Sequence, residues 1–192
     1  MLLSFLKEYL HHPAMTGALA PSSAHLARRM AAQIDFDRAH CLVEYGPGTG
    51  VFTDVLIRQR RPGTVVVAIE ANPAFCRLLR ARYSGVPHVH IIHGSAGRAG
   101  ECLRQLGLPA ADYVVSGLPF ASLPRQVSRQ ILGTTRRLLR PGGKLVLFQY
   151  TTRKKKLFDE CFTLCRQSRV LLNFPPAFVL TYAARHEAEA TA

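Results

Sequence analysis

Between residues 41 and 150 the chain alternates short β-branched or aliphatic runs with segments of helical period. No other feature constrains the fold as strongly. The runs are CLVEY (41–45), TVVVAIE (64–70), HVHIIH (88–93), DYVVS (112–116) and KLVLFQY (144–150). Strands that are apolar along their whole length are buried on both faces, which implies a mostly parallel sheet with helices above and below. The intervening segments predict helices over 51–60, from Asn72-Pro73 onward, over 98–106, 124–139 and 154–165. Asn72 supplies a cap and Pro73 suits a first helical position. Pro21, Ser22 and Ser23 offer another helix start. The segments 169–173 and 177–184 flank Pro175-Pro176 and read as a terminal antiparallel hairpin. The expected fold is α/β, with a doubly wound, mostly parallel seven-stranded sheet.

With 192 residues, 48% of them apolar, the chain can build one substantial core. The expected organisation is an amphipathic helix over 1–13, one domain over 14–185 and a polar tail over 186–192. No apolar run approaches the roughly 20 residues of a membrane span. Lys7, Glu8, His11 and His12 interrupt the apolar start, and no positive region precedes it, so a secretion signal is not expected. The five cysteines form no C-x-x-C pair and read as free thiols in a reducing cytosol. No metal-ligand spacing is present, and no metal is expected.

Lys and Arg number 25 against 12 Asp and Glu, a formal charge of +13. Such a field favours polyanions, either nucleic acid or an anionic lipid surface.

Ligands of open α/β sheets bind outside the carboxyl ends of the strands. The first strand ends Glu44-Tyr45-Gly46-Pro47-Gly48-Thr49-Gly50. The glycines allow close backbone approach. No Walker lysine follows, and the acidic Glu44 suits an ammonium group better than a phosphate. The second strand ends in Glu70, whose carboxylate can accept both hydroxyls of a ribose. The fourth ends Ser116-Gly117-Leu118-Pro119-Phe120.

EYGPGTG followed by AIEAN (68–72) resembles class I S-adenosylmethionine-dependent methyltransferases, with their Rossmann-like sheet. The resemblance implies S-adenosylmethionine as cofactor. Its methionine part would lie on Glu44, Tyr45, Gly46, Gly48, Thr49 and Gly50, and its ribose on Glu70, Ala71 and Asn72. Gly94, Ser95 and Ala96 take the place of the family's usual adenine-side acid. Ser116, Gly117 and Leu118 complete the site. Adenine N6-methyltransferases carry Asn/Asp-Pro-Pro-Tyr/Phe at the fourth strand end; here the aromatic Phe120 remains, but Ser116 stands where the amide is expected.

PAMTGALAPSS, EYGPGTG and SGLPF together are similar to the soluble bacterial phospholipid N-methyltransferases of the Sinorhizobium type. These methylate phosphatidylethanolamine successively toward phosphatidylcholine, and rRNA adenine dimethyltransferases are their distant relatives. The likeness puts Thr16, Gly17 and Ser22 against the cofactor. It implies catalytic roles for Tyr9, Ser116 and Phe120. A growing cationic head group suits aromatic faces. Without Trp in the chain, the candidates are Tyr9, Tyr45, Phe120 and Tyr150, with core packing the alternative for Tyr45, Phe120 and above all Tyr150, while Arg125, Arg153 and Lys154 are placed to meet a lipid phosphate. Leu2, Leu3, Phe5, Leu6, Tyr9 and Leu10 fall within an arc of about 160° on a helix, a pattern that lies in a membrane interface. The expected partners are therefore an anionic membrane surface and a phospholipid substrate, with nucleic acid not expected. The protein is expected to be a cytoplasmic monomer, peripheral on the inner membrane face. The competing readings are an rRNA adenine N6-methyltransferase and a basic scaffold without catalysis.

Overall fold

The computed structural model describes residues 21–151, 154–171 and 175–185. The expected helix at the start and the polar tail lie outside the described residues. The chain begins with α1 (Pro21–Ala31) and enters the sheet at β1 (Cys41–Tyr45). Then follow α2 (Val51–Gln59), β2 (Val65–Glu70), α3 (Pro73–Tyr83) and β3 (Val89–His93). A 3-10 turn, Ala96–Arg98, leads into α4 (Ala99–Gln105), then β4 (Ala111–Ser116), α5 (Arg125–Leu138) and β5 (Leu139–Gln149). The described chain closes with α6 (Lys155–Asp159), β6 (Phe162–Val170) and β7 (Ala177–Ala184).

All seven strands form one sheet in the order β3-β2-β1-β4-β5-β7-β6. Strands β1 to β5 run parallel. β7 lies antiparallel between β5 and β6. The order reverses between β1 and β4, where Tyr45 stands beside Ser116. A crevice at such a reversal is where open α/β sheets bind ligands.

Two apolar layers cover the sheet. Val43, Tyr45, Val114 and Leu147 meet Leu103, Ile131, Leu132 and Phe158 on one face. Leu42, Val66, Val115 and Val146 meet Leu26, Met30 and Leu56 on the other. Every residue of β1 and β4 is buried, as an apolar central strand requires. At the opposite end from the crevice, Asp112 accepts from the amides of His40 and Cys41, both at 2.8 Å, and ties the start of β1 to β4.

The expected elements appear within a few residues of their predicted limits, with three differences. β5 begins at Leu139, five residues before the expected Lys144. The helix expected over 154–165 is only Lys155–Asp159, and the strand expected over 169–173 begins at Phe162. Leu157 and Phe158 are buried, so the short helix is anchored by one turn. From Phe162 onward the backbone pairs with β7, from Ala184 to Ala177. Those ladder bonds override a local string whose polar residues carry little strand signal. Cys165 is exposed on this edge strand, whereas Cys41, Cys76 and Cys102 are buried as expected; all five cysteines are free.

Candidate functional site

The turn after β1 is a cradle open to the crevice. The Gly46 amide donates to the Ile69 carbonyl at 3.0 Å, and Gly50 donates to Pro47 at 2.9 Å. Gly48 (φ 58°) and Gly50 (φ 89°) both have positive φ. A Cβ on Gly48 would meet nothing within 4 Å, so its face stays free for a ligand. A Cβ on Gly50 would lie 2.8 Å from Leu79 Cδ2 and from the Tyr83 hydroxyl. Gly50→Ala therefore combines backbone strain with overpacking. It is expected to destabilise the fold by about 2–4 kcal/mol, read by urea unfolding.

Two carboxyl groups flank this cradle. Glu70 accepts from the Gly48 amide (3.0 Å) with one oxygen and from the Asn72 amide (2.8 Å) with the other. Each oxygen keeps lone pairs for a diol, because a carboxylate has about four acceptor sites. Asn72 also caps α3 through the amide of Ala74, as its position before Pro73 predicts. Glu44 is 2% exposed. The Thr53 hydroxyl donates to it at 2.7 Å. Burial, reinforced by the charges of Glu70 and Asp54, pushes the Glu44 carboxyl up to about 8, against the opposing Thr53 hydrogen bond. A buried acid of this kind is neutral until a cation arrives to hold its charge.

Outside the turn, a second group of side chains braces it. Arg82 donates to the Thr49 carbonyl (3.1 Å) and pairs with Asp54. The Tyr83 hydroxyl lies 2.8 Å from Asp54 and 3.2 Å from the Gly50 carbonyl, donating to that pair.

The third strand end lies against the second. The Gly94 amide donates to the Glu70 carbonyl at 2.9 Å, and a His93 ring nitrogen sits 3.2 Å from the Ala71 carbonyl. Ser95 caps the 3-10 turn by accepting from Gly97, and Ala96 is buried behind it.

The fourth strand end closes on the first. The Gly117 amide donates to the Tyr45 carbonyl at 3.1 Å. Ser116 is fully buried and accepts from the Leu118 amide at 3.2 Å. The Leu118 carbonyl accepts from the Phe120 amide (2.9 Å) and from Gln149 Nε2 (3.0 Å).

The aromatic expectations need correction. Tyr45 and Phe120 are each 1% exposed and belong to the core. Tyr45 turns its hydroxyl to Thr135, which donates at 3.2 Å. Phe120 packs edge-on to Phe158 at 5.1 Å. Neither ring is exposed as a stacking surface, and the Tyr45 carbonyl accepts from the Gly117 amide. The expected cations are also engaged. Arg125 pairs with Glu160 at 3.3 Å, a carboxylate shared with Arg129. The Lys154 amine donates to the Leu123 carbonyl, and burial lowers its pKa. Ser22 lies in the first turn of α1. Tyr9, Thr16, Gly17 and Arg153 lie outside the described residues. No cluster with metal-binding composition occurs among the described residues.

Sequence reasoning missed Thr53 and Gln149. Thr53 sits three residues before Leu56 on the buried face of α2, so a polar residue on an apolar stripe was its signal. Gln149 is the one amide in an otherwise apolar strand end, KLVLFQY.

Residues 42–143 match the family model described as a methyltransferase domain. The chain belongs to the S-adenosylmethionine-dependent methyltransferases. The methyltransferase is 33% identical over 178 residues to an ornithine lipid N-methyltransferase of Singulisphaera acidiphila, an alignment covering 90% of this chain and 91% of that protein. It is also 32% identical over 133 residues to a ribosomal RNA small subunit methyltransferase A of Synechococcus sp., covering 67% of this chain but 44% of that protein. Its fold matches the N-methyltransferase NodS of Bradyrhizobium japonicum in complex with S-adenosyl-L-homocysteine, at a TM-score of 0.73 and 13% identity, over 96% of this chain and 98% of that one. The cofactor is S-adenosylmethionine, and the residues present fit it. The open face of Gly48, the buried acid Glu44 and the backbone-held Glu70 have the polarity that an ammonium group and a ribose diol require.

Proposed function

We propose that the methyltransferase N-methylates the primary amine of a membrane lipid, phosphatidylethanolamine and then its mono- and dimethyl derivatives, at an anionic membrane surface. The observation that carries this reading is the likeness to a lipid N-methyltransferase over nine-tenths of both chains. The apolar arc of residues 2–10 supports an interfacial approach. No helix among the described residues is long and apolar enough to cross a membrane.

The cofactor supplies an electrophilic methyl group on a sulfonium sulfur. The protein's own part would be to hold the acceptor amine neutral and in line with that methyl group, the proton of the incoming ammonium having passed to water before transfer. Alignment provides much of the acceleration. Glu44 and the cradle would hold the methionine end of the cofactor and Glu70 its ribose, and the Ser116–Leu118 turn, hydrogen-bonded to the end of β1, would flank the acceptor. Gln149 and the Phe120 amide occupy the Leu118 carbonyl from the protein side, which holds this turn closed against β5. A dry crevice disfavours the ammonium form of the incoming amine.

An adenine acceptor is the second reading, favoured by the rRNA-methyltransferase likeness and by the charge of +13. Against it, the position where an amide would hold the base is Ser116, buried and bonded to a backbone amide. The deciding assay offers labelled S-adenosylmethionine with phosphatidylethanolamine or ornithine lipid in anionic vesicles, or with unmodified 16S rRNA. Label in phosphatidylethanolamine supports the proposal. Label only in ornithine lipid moves the acceptor to an aminoacyl lipid, and label only in RNA overturns the lipid reading.

A further inference from the structure

On the α1–α2 side of the sheet lies a groove of about 620 Å³ that shares only Thr49 with the residues assigned to the cofactor. Its volume is that of a small-molecule site. Ala24 of α1 and Val51 and Val55 of α2 line it with apolar surface. Arg28, Arg58 and Arg82 also line it, against a single acid, Asp54. Asp54 pairs with Arg82 and stands 3.8 Å from Arg58. Arg28 makes no ion pair among the described residues; its guanidinium donates only to the Ala24 carbonyl, at 3.2 Å. Three cations and one anion leave two positive charges in one concave place. Thr49, part of the cofactor turn, lines the groove as well.

We propose that this groove binds the phosphate of an anionic phospholipid, with the first carbons of its acyl chains on Ala24, Val51 and Val55. Guanidinium groups match phosphate oxygens in pairs, and a phosphodiester neutralises one of the two positive charges that Asp54 leaves uncompensated. The apolar surface explains why the occupant is amphiphilic rather than a free ion: hydrocarbon placed there leaves water. A nucleic-acid backbone shares the phosphate but would leave the valines without a partner. The choice of a lipid as the source rests on the lipid-enzyme reading; the site itself does not, since apart from Thr49 its lining lies outside the residues assigned to the cofactor.

The test uses the full chain without S-adenosylmethionine or an acceptor lipid, so its outcome is independent of catalysis. Monomeric dihexanoyl phosphatidylglycerol, dihexanoyl phosphatidylcholine, inorganic phosphate and a short oligouridylate are titrated separately. Arginine Nε–Hε resonances report binding in two-dimensional NMR. The phosphatidylglycerol is expected to saturate and to shift Arg28, Arg58 and Arg82 together. R28E/R58E is expected to weaken it at least tenfold, while R104E/R166E, an equal charge change on other exposed surface, retains more than half the affinity. Unchanged melting temperatures show that both variants fold. Equal loss in both variants, or shifts at none of the three arginines, would overturn the site. Phosphate binding as tightly as the lipid would overturn the apolar contribution, phosphatidylcholine doing so would overturn the charge requirement, and oligouridylate doing so would replace lipid by nucleic acid.

Discussion

Replacing Glu44 with Gln is expected to stabilise the cofactor-free protein at pH 8 while weakening S-adenosylmethionine binding at least tenfold. The two effects share one cause. An unfolded glutamate titrates near 4.5, whereas burial holds the folded carboxyl up to about 8. Between those values the folded state binds a proton that the unfolded state has released. Stability therefore falls as pH rises through this window, by at most about 1.4 kcal/mol per pH unit. A glutamine has the same shape and still accepts from Thr53, but it does not titrate. Thermal melts from pH 5 to pH 8 should slope downward more steeply for the wild type than for Glu44→Gln. Cofactor binding has the opposite sign: an ammonium group requires the ionised carboxylate, so wild-type affinity rises with pH toward 8. Calorimetric titration with S-adenosylhomocysteine checks this, and an identical pH profile in the variant would remove Glu44 from the role.

The second large effect is at Glu70. Glu70→Ala removes both acceptors proposed for the ribose and leaves the Gly48 and Asn72 amides without the partner they have now. Hydrogen bonds to a charged group contribute about 1.5–3 kcal/mol each. Two of them amount to at least a hundredfold loss of S-adenosylhomocysteine affinity, measured by the same titration. Glu70→Gln keeps one acceptor and cannot accept at both oxygens, so it should fall between wild type and alanine. An alanine variant that binds within threefold of wild type would place the ribose elsewhere.

The contrast between these acids and the aromatic residues shows where a sequence is informative. The strand-end positions of Glu44, Gly48, Gly50 and Glu70 were legible because these residues sit in short strings that end a strand or follow it. The rings were not, because a side chain at a strand end takes its direction from the pleat. Tyr45 shares the parity of Cys41 and Val43, and all three face the same apolar layer. Period-two counting places Tyr45 inside, which decides between the core and head-group readings that its chemistry left open. Phe120 lies beyond the strand, where only packing on Phe158 decides its place. β6 was misjudged because its stabilising partners lie on β7, beyond Pro175-Pro176, and its own residues are largely polar. Thr53 was hidden for the reverse reason: one hydroxyl on an apolar stripe has no meaning until Glu44 is found opposite.

The position of β7 has a consequence for how the protein is made. The last described strand fills the gap between β5 and β6 rather than adding to an edge. Until residues 177–184 have left the ribosome, β5 lacks one neighbour and Val179, Leu180 and Tyr182 are missing from both layers. The cofactor cradle at β1 and β2 is synthesised early, yet the sheet that supports it closes late. A nascent chain paused before residue 177 would therefore expose the apolar edge of β5, and chaperone binding should concentrate on that interval of synthesis.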